Sequence, residues 1–367
     1  MNRNVLMQMD AIIDVLKSNV KEDYKSWIVD IKRHIVGQDD DTATINFVKR
    51  AKERYFYFNS NFIAMFEYEN EGYILLPEQY VEPIEDLGLN IETDLAIVYG
   101  AGMLAIGNGK LPLRAGVDSL GIIERCLGIE PQDGDDSVVL EFRDIRDVFA
   151  PYIVIHIDNS RFELLYEEDL FRLLAYISAD CGFPIEDSVN QIIKKIALLK
   201  GSRSITPSLV NFYESSLIEY SFLQLYQCVE YLFRLNNSFL ISDSYNVDVN
   251  AVVDIIQTYE LKGSELDNLY RVLKNNASKG SIETFFDLIS TSEDENVDKT
   301  NVVANYIYKL RCNIAHLRYG QDDSLVGVEW EKCIEALLGI IFSIYNKLDE
   351  RITSVCLNKN SWKQIII

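Results

Sequence analysis

Lys309, Arg311, Asn313, His316 and Arg318 fall within one short stretch that combines strong cations, an amide and an imidazole. Arginine suits phosphate recognition, because its planar fork donates two parallel hydrogen bonds and stays charged. Histidine suits proton transfer near neutral pH. Together they can cleave RNA without a metal. A ribose 2′-hydroxyl attacks the neighbouring phosphate, His316 moves a proton, and Arg311 stabilises the charge that builds on the phosphate oxygens.

The spacing limits how this could work. At about 100° per residue, positions five apart stand about 140° apart around a straight helix, so Arg311 and His316 do not share a face. Asn313 and His316 do, together with Lys309 and Asn305. Bringing Arg311 to the same phosphate needs its long side chain, a local helix distortion or a second subunit. The plainer reading is a solvated helix face, with His316 near a C-terminal end that favours a cation. Arg318 is a second phosphate contact or an exposed side chain.

The elements around this stretch read as helices. Apolar spacing predicts helices over 301–317, closed by Gly320, and over 328–351, with Trp330, Ile334, Leu337, Ile341, Ile344 and Leu348 on one face. Asp248 is expected to cap a helix running to Leu261, and Ser264 with Asp267 resembles a capping box. A short helix is expected near 282–290, before an acidic loop. Residues 208–235 read as one long buried helix on which Ser216, Glu219, Gln227, Glu230 and Arg234 form a polar stripe. Buried polar groups need partners, so Glu230 is a candidate to pair with Arg311 and hold it in place, or a purely structural ion pair.

Upstream, a helix is expected over 9–35 and a mixed region over 54–166. Phe62–Tyr68 and Tyr73–Leu76, separated by a Gly-containing turn, read as a hairpin. Further strands are expected at 95–99, 138–142, 152–157 and 162–166, then helices near 167–179 and 186–199. The Gly- and Ser-rich segment 201–207, ending in Pro207, marks the expected boundary. The run of glycines at 100–109 lacks the ending of a phosphate-binding loop and reads as strand turns. His156 reads as a satisfied strand histidine, and His34 as a C-terminal cap of the first helix.

The net charge of −22 excludes a general nucleic-acid coat protein, so an RNA substrate would have to enter a local cleft. Six scattered cysteines without a C-x-x-C pair suit a reducing cytoplasm. With three histidines, no zinc site is expected, and no cofactor. No apolar run is long enough to suggest a membrane span, and no signal peptide is expected.

The R-x4-H pattern of Arg311 and His316, on a late helix of a helical region, resembles the signature of HEPN ribonucleases. The segment from Phe222 through Tyr226 and Glu230 is similar to the first core helix of some members. The resemblance covers residues 208–351. It implies a metal-independent endoribonuclease acting at a homodimer cleft, with Arg311 and His316 catalytic and Asn313, Glu230, Lys309 and Arg318 in support. It further implies a toxin or antiviral defence effector, with a protein that inhibits or triggers it. Two positions depart from the pattern. Cys312 stands where Asn, Asp or His often follows the Arg, and Tyr319 comes one residue too late for the His-x-Tyr of one toxin subgroup. Many HEPN-like domains instead bind nucleotides or proteins without cutting. The expected fold is α+β: a mixed α/β domain over residues 1–205, sensory or regulatory, followed by an all-α HEPN-like bundle over residues 206–367.

Overall fold

The computed structural model describes residues 5–27, 41–58, 61–127, 142–157, 167–181, 186–258, 264–290, 296–315 and 327–356. The fold is α+β, and the chain divides into two compact units, 1–165 and 166–367.

The first unit contains α1 (Val5–Ser18), α2 (Asp41–Arg50), β1 (Lys52–Phe58), β2 (Asn61–Tyr68), β3 (Glu71–Pro77), α3 (Val81–Asp86), β4 (Asn90–Ile91), α4 (Leu95–Gly107), α5 (Ser119–Ile122), α6 (Phe142–Arg146) and β5 (Tyr152–Ile157). The five strands form one antiparallel sheet in the order β1-β2-β3-β5-β4. The expected hairpin is β2–β3. Glu69 and Asn70 at its turn both have positive φ, 53° and 69°, the conformation whose twist matches the flanking strands. Phe62, Ala64 and Phe66 of β2, Leu75 of β3 and Val154 of β5 join Phe47 of α2 and Leu104 of α4 in one hydrophobic core.

Three expectations fail here. Residues 95–99 do not form a strand but open α4, and the glycines of 100–109 are not strand turns. Asp94 caps the helix, its Oδ1 accepting from the Ala96 N–H at 2.9 Å. The apolar run then continues through Ile106, buried all round. Gly100 and Gly102 let large neighbours close in: a Cβ at Gly100 would lie 2.7 Å from Phe47, and one at Gly102 would collide with the Tyr152 hydroxyl. The first helix stops at Ser18 rather than reaching residue 35, followed by a 3-10 turn over Glu22–Trp27. His34 and the expected strands at 138–142 (apart from Phe142, which opens α6) and 162–166 lie outside the described residues.

The second unit is helical: α7 (Glu167–Cys181), α8 (Asp187–Leu198), α9 (Thr206–Glu214), α10 (Ile218–Glu230), α11 (Leu232–Tyr245), α12 (Val249–Thr258), α13 (Glu265–Asn276), α14 (Lys279–Ile289), α15 (Lys299–Ala315) and α16 (Trp330–Cys356). The boundary expected at 205/206 therefore falls inside this unit. The reason is packing: α7 lies against α8 and α9, and α8 lies against α16. The buried Arg172 of α7 donates from Nε to the Ala197 carbonyl at 3.0 Å.

The single helix expected over 208–235 is three. Ser215 and Leu217 adopt extended backbone between α9 and α10, and the Ser215 hydroxyl donates back to the Asn211 carbonyl at 2.8 Å. Such local bonds compete with the helix ladder. The hydrogen-bond ladder is irregular again at Tyr231, although its backbone stays helical (φ −54°, ψ −34°). Beside it the Tyr345 hydroxyl donates to the Cys228 carbonyl at 3.0 Å, an insertion of the kind that interrupts helices. The proposed polar stripe is thus split over separate elements. Asp248 and Ser264 cap α12 and α13 as expected, accepting from Ala251 N–H at 3.0 Å and Asp267 N–H at 3.3 Å.

The face of α16 formed by Ile334, Leu337, Ile341, Ile344 and Leu348 is buried within the chain. It packs on α8, α10, α13 and α14, which cover it within the chain. Among the described residues no helix is long and apolar enough to cross a membrane.

Candidate functional site

Helix α15 turns Val303, Ala304, Ile307, Leu310 and Ile314 into the core. Tyr308, Arg311 and Cys312 lie half-buried beside that face, and Asn305 and Lys309 opposite it are exposed. Arg311 faces the start of α13 and the end of α10. Its Nε lies 3.1 Å from Glu265 Oε1, with the two side chains 25% and 27% exposed. The same oxygen accepts from the Tyr226 hydroxyl at 2.8 Å, and the guanidinium carbon stands 5.7 Å from the Tyr226 ring centroid. Glu265 follows the cap Ser264 directly, and the first turn of a helix favours a carboxylate.

This arrangement is an oriented guanidinium. Glu265 takes Nε, Tyr226 supplies a platform for the flat of the group, and the two terminal amino groups have no hydrogen-bond partner among the described residues. Those groups form the edge that binds a carboxylate or phosphate in a forked contact.

Electrostatics tie the cluster together. Burial works against the Arg311 charge, but Glu265, Tyr226 and Glu230 outweigh it and raise the guanidinium. Burial, then the hydrogen bond to Glu265, holds the Tyr226 phenol far above its usual range. The Glu230 carboxyl is also raised, first by partial burial and then by repulsion from Glu265. The Tyr308 phenol rises through its hydrogen bond with the Cys312 thiol one turn on.

The sequence-predicted residues divide as follows. Arg311 is in the cluster. Glu230 is near enough to feel it, but the direct partner of Arg311 is Glu265, a correction to the expected Glu230–Arg311 pair. Its one legible signal is an acidic residue next to a capping serine, which by itself marks only a helix start. Asn313 is 4% exposed and buried, whereas Lys309 and Asn305 are exposed, and Asn305 donates to the Asn301 carbonyl at 2.8 Å. The polar face expected to join them is therefore not one surface. His316, Arg318 and Tyr319 lie outside the described residues. Tyr226 was read only as part of a helix, and the structure makes it the contact between Glu265 and the Arg311 guanidinium.

The remaining histidine of the described residues, His156, pairs with Glu71 and stacks on Tyr73 at 5.1 Å, as expected of a satisfied strand histidine. No family model, curated protein or solved structure matches the chain.

Proposed function

We propose that the second unit is a metal-independent endoribonuclease of HEPN type, acting as a defence or toxin effector, with Arg311 and His316 as its catalytic pair. The observation that supports this reading is the way Arg311 is held: anchored through Nε by Glu265, flat against Tyr226, with its forked edge uncommitted among the described residues. That edge suits the non-bridging oxygens of a phosphate under attack by a 2′-hydroxyl. Glu265 then acts as a positioning residue. In this reading a homodimer brings a second copy of the helix to the same RNA, which enters a local cleft in an otherwise acidic molecule.

The test is cleavage of total RNA and of tRNA with EDTA present, comparing wild type with Arg311→Ala and His316→Ala. Wild-type cleavage leaving 2′,3′-cyclic phosphate ends, lost in both variants, is the expected result. Equal cleavage by the variants overturns the assignment. A monomer in sedimentation at micromolar concentration overturns the shared cleft.

A second reading rests on a different observation. Glu265 and Glu230 balance the charges of Arg311 and Arg234, so the described part of the site carries no net positive charge. Phosphate backbones are attracted by excess cation. Within the alternative of a non-catalytic HEPN-like module that binds a nucleotide or a protein, this balance favours the protein. Tight nucleotide or partner binding with no cleavage, even after the first unit is removed, is its signature.

A further inference from the structure

The first unit holds a cavity of about 380 Å³ at the junction of α2, the β2–β3 hairpin and the start of α4. Its walls include Phe47, Tyr68 and Tyr73, and its rim carries Glu69, Glu71 and Asp94. Phe47 sets the aromatic corner, its ring centroid 4.9 Å from Tyr68 and 6.0 Å from Tyr73. The size is in the range of ordinary small-molecule sites.

The chemistry of the lining selects the ligand. Three carboxylates are among its lining residues and no cation is, although Arg50 pairs with Glu69 and His156 with Glu71 from outside the lining. The N-terminus of α4 contributes roughly half a positive charge, well short of balancing them, and Asp94 already occupies its Ala96 N–H. Burial and then Glu71, Glu92 and Asp94 push the Tyr73 phenol up to about 12, as expected where the field is negative. Phosphates, nucleotides and carboxylates are therefore disfavoured. A bare metal ion is a poor fit as well, because among the described residues no three His, Cys, Asp or Glu side chains lie close enough to hold one. Aromatic faces beside separated carboxylates match a larger cation, since ring faces attract ammonium and guanidinium groups. Arg50 already places a guanidinium nitrogen 3.6 Å from Glu69 Oε1, with both side chains largely exposed, so this rim accepts that group and can exchange it.

We propose that this cavity binds a small organic cation, a guanidinium or alkylammonium head on a short apolar stem. The head sits against Tyr68 and Tyr73 and pairs with Glu69 and Asp94, while the stem lies along Ala43 and Ile97. The proposal is independent of the nuclease reading, because every residue involved belongs to the first unit. The same head can come from a free amine or from an arginine side chain of a peptide.

The experiment is isothermal titration calorimetry on the full chain in 0.15 M salt, roughly the ionic strength that screens loose surface attraction beyond about 8 Å. The ligands are butylguanidine, its uncharged analogue butylurea, and a tripeptide with a central arginine. Butylguanidine is expected to saturate with a Kd below about 1 mM, and butylurea to give no binding heat. The double variant Glu69→Gln, Asp94→Asn is expected to weaken butylguanidine at least tenfold. Asparagine still caps a helix, and an unchanged thermal melt verifies the fold; should the pair unfold, Glu69→Gln alone is used. Binding of butylguanidine without the peptide assigns a free cation, and binding of both assigns the guanidinium head whatever carries it. Absence of binding by both cations at millimolar concentration overturns the proposal. So does equal binding by butylurea or by the variant.

Discussion

Arg311 and Tyr226 meet at one oxygen of Glu265, the guanidinium Nε at 3.1 Å and the phenol at 2.8 Å. A single carboxylate thereby ties together α10, α13 and α15, and fixes which edge of the guanidinium remains available.

Replacing Glu265 with Gln keeps the shape and removes the charge. The unfolding free energy is expected to fall by about 1–2 kcal/mol, the worth of a charge-assisted bond in a partly buried setting, measured by urea denaturation. If the second unit is a nuclease, a misplaced Arg311 also lowers its kcat, by up to about 100-fold. Unchanged stability and unchanged rate together would deny Glu265 its orienting role.

Tyr226→Phe separates the ring from the hydroxyl. The platform under Arg311 survives, and one buried hydrogen bond is lost. A stability decrease of about 1 kcal/mol is expected, smaller than that for Glu265→Gln. The reverse order would indicate that the phenol, rather than the guanidinium, is the principal partner of the carboxylate.

Glu230 carries a pH signature. Its carboxyl is raised in the folded protein, by burial and then by Glu265, so the folded state holds that proton more tightly than the unfolded chain. Its contribution is therefore most favourable at acid pH. It is lost as pH rises from the ordinary carboxyl range through the raised value. Because Glu230 is exposed to solvent, which screens the effect, Glu230→Gln is expected to flatten this part of the stability profile only slightly and to raise the melting temperature at pH 7 by a small amount. A lower melting temperature at pH 7 would mean that the ionised carboxylate is a net stabiliser.

Gly102→Ala tests the close contact inside the first unit. The added methyl would collide with the Tyr152 hydroxyl, which donates to the Val98 carbonyl at 3.2 Å. Overpacking of this kind costs about 1–3 kcal/mol, read as an earlier thermal transition. A neutral outcome would show that α4 and β5 can separate freely.

Tyr345→Phe removes the donor that meets the Cys228 carbonyl where α10 meets α11. A loss of about 1–2 kcal/mol is expected, from the same urea measurement.

The parts of the fold that sequence could announce were those written in local chemistry. The β2–β3 hairpin had a turn flanked by strand-forming residues, and Ser264 and Asp248 sit one residue ahead of their helices. What stayed hidden depends on distant partners. Leu95–Tyr99 has the branched and aromatic residues of a strand, but Asp94 and the unbroken apolar run behind it win, because α4 is covered on every side from Gly100 to Ile106. The break after Glu214 and the irregular ladder at Tyr231 were masked by apolar periodicity that continues straight through them. Arg311 could be picked out by its type and spacing. Glu265 could not, since 46 residues separate it from Arg311 and only the packing of α13 on α15 brings them together.

The long helix α16 imposes an order on synthesis. It packs on α8, α10, α13 and α14, and Asp349 accepts a hydrogen bond from the Gly201 N–H at 2.5 Å. At roughly 5–20 residues per second, a ribosome needs on the order of ten seconds to travel from α10 to the end of α16. Throughout that interval α10 and α13 have only part of their final cover, from α9, α11 and α15 as these form. The first unit, whose sheet and helices all come earlier, faces no such wait. A nascent chain can therefore carry a finished first unit while the helices around Arg311 are still incompletely packed.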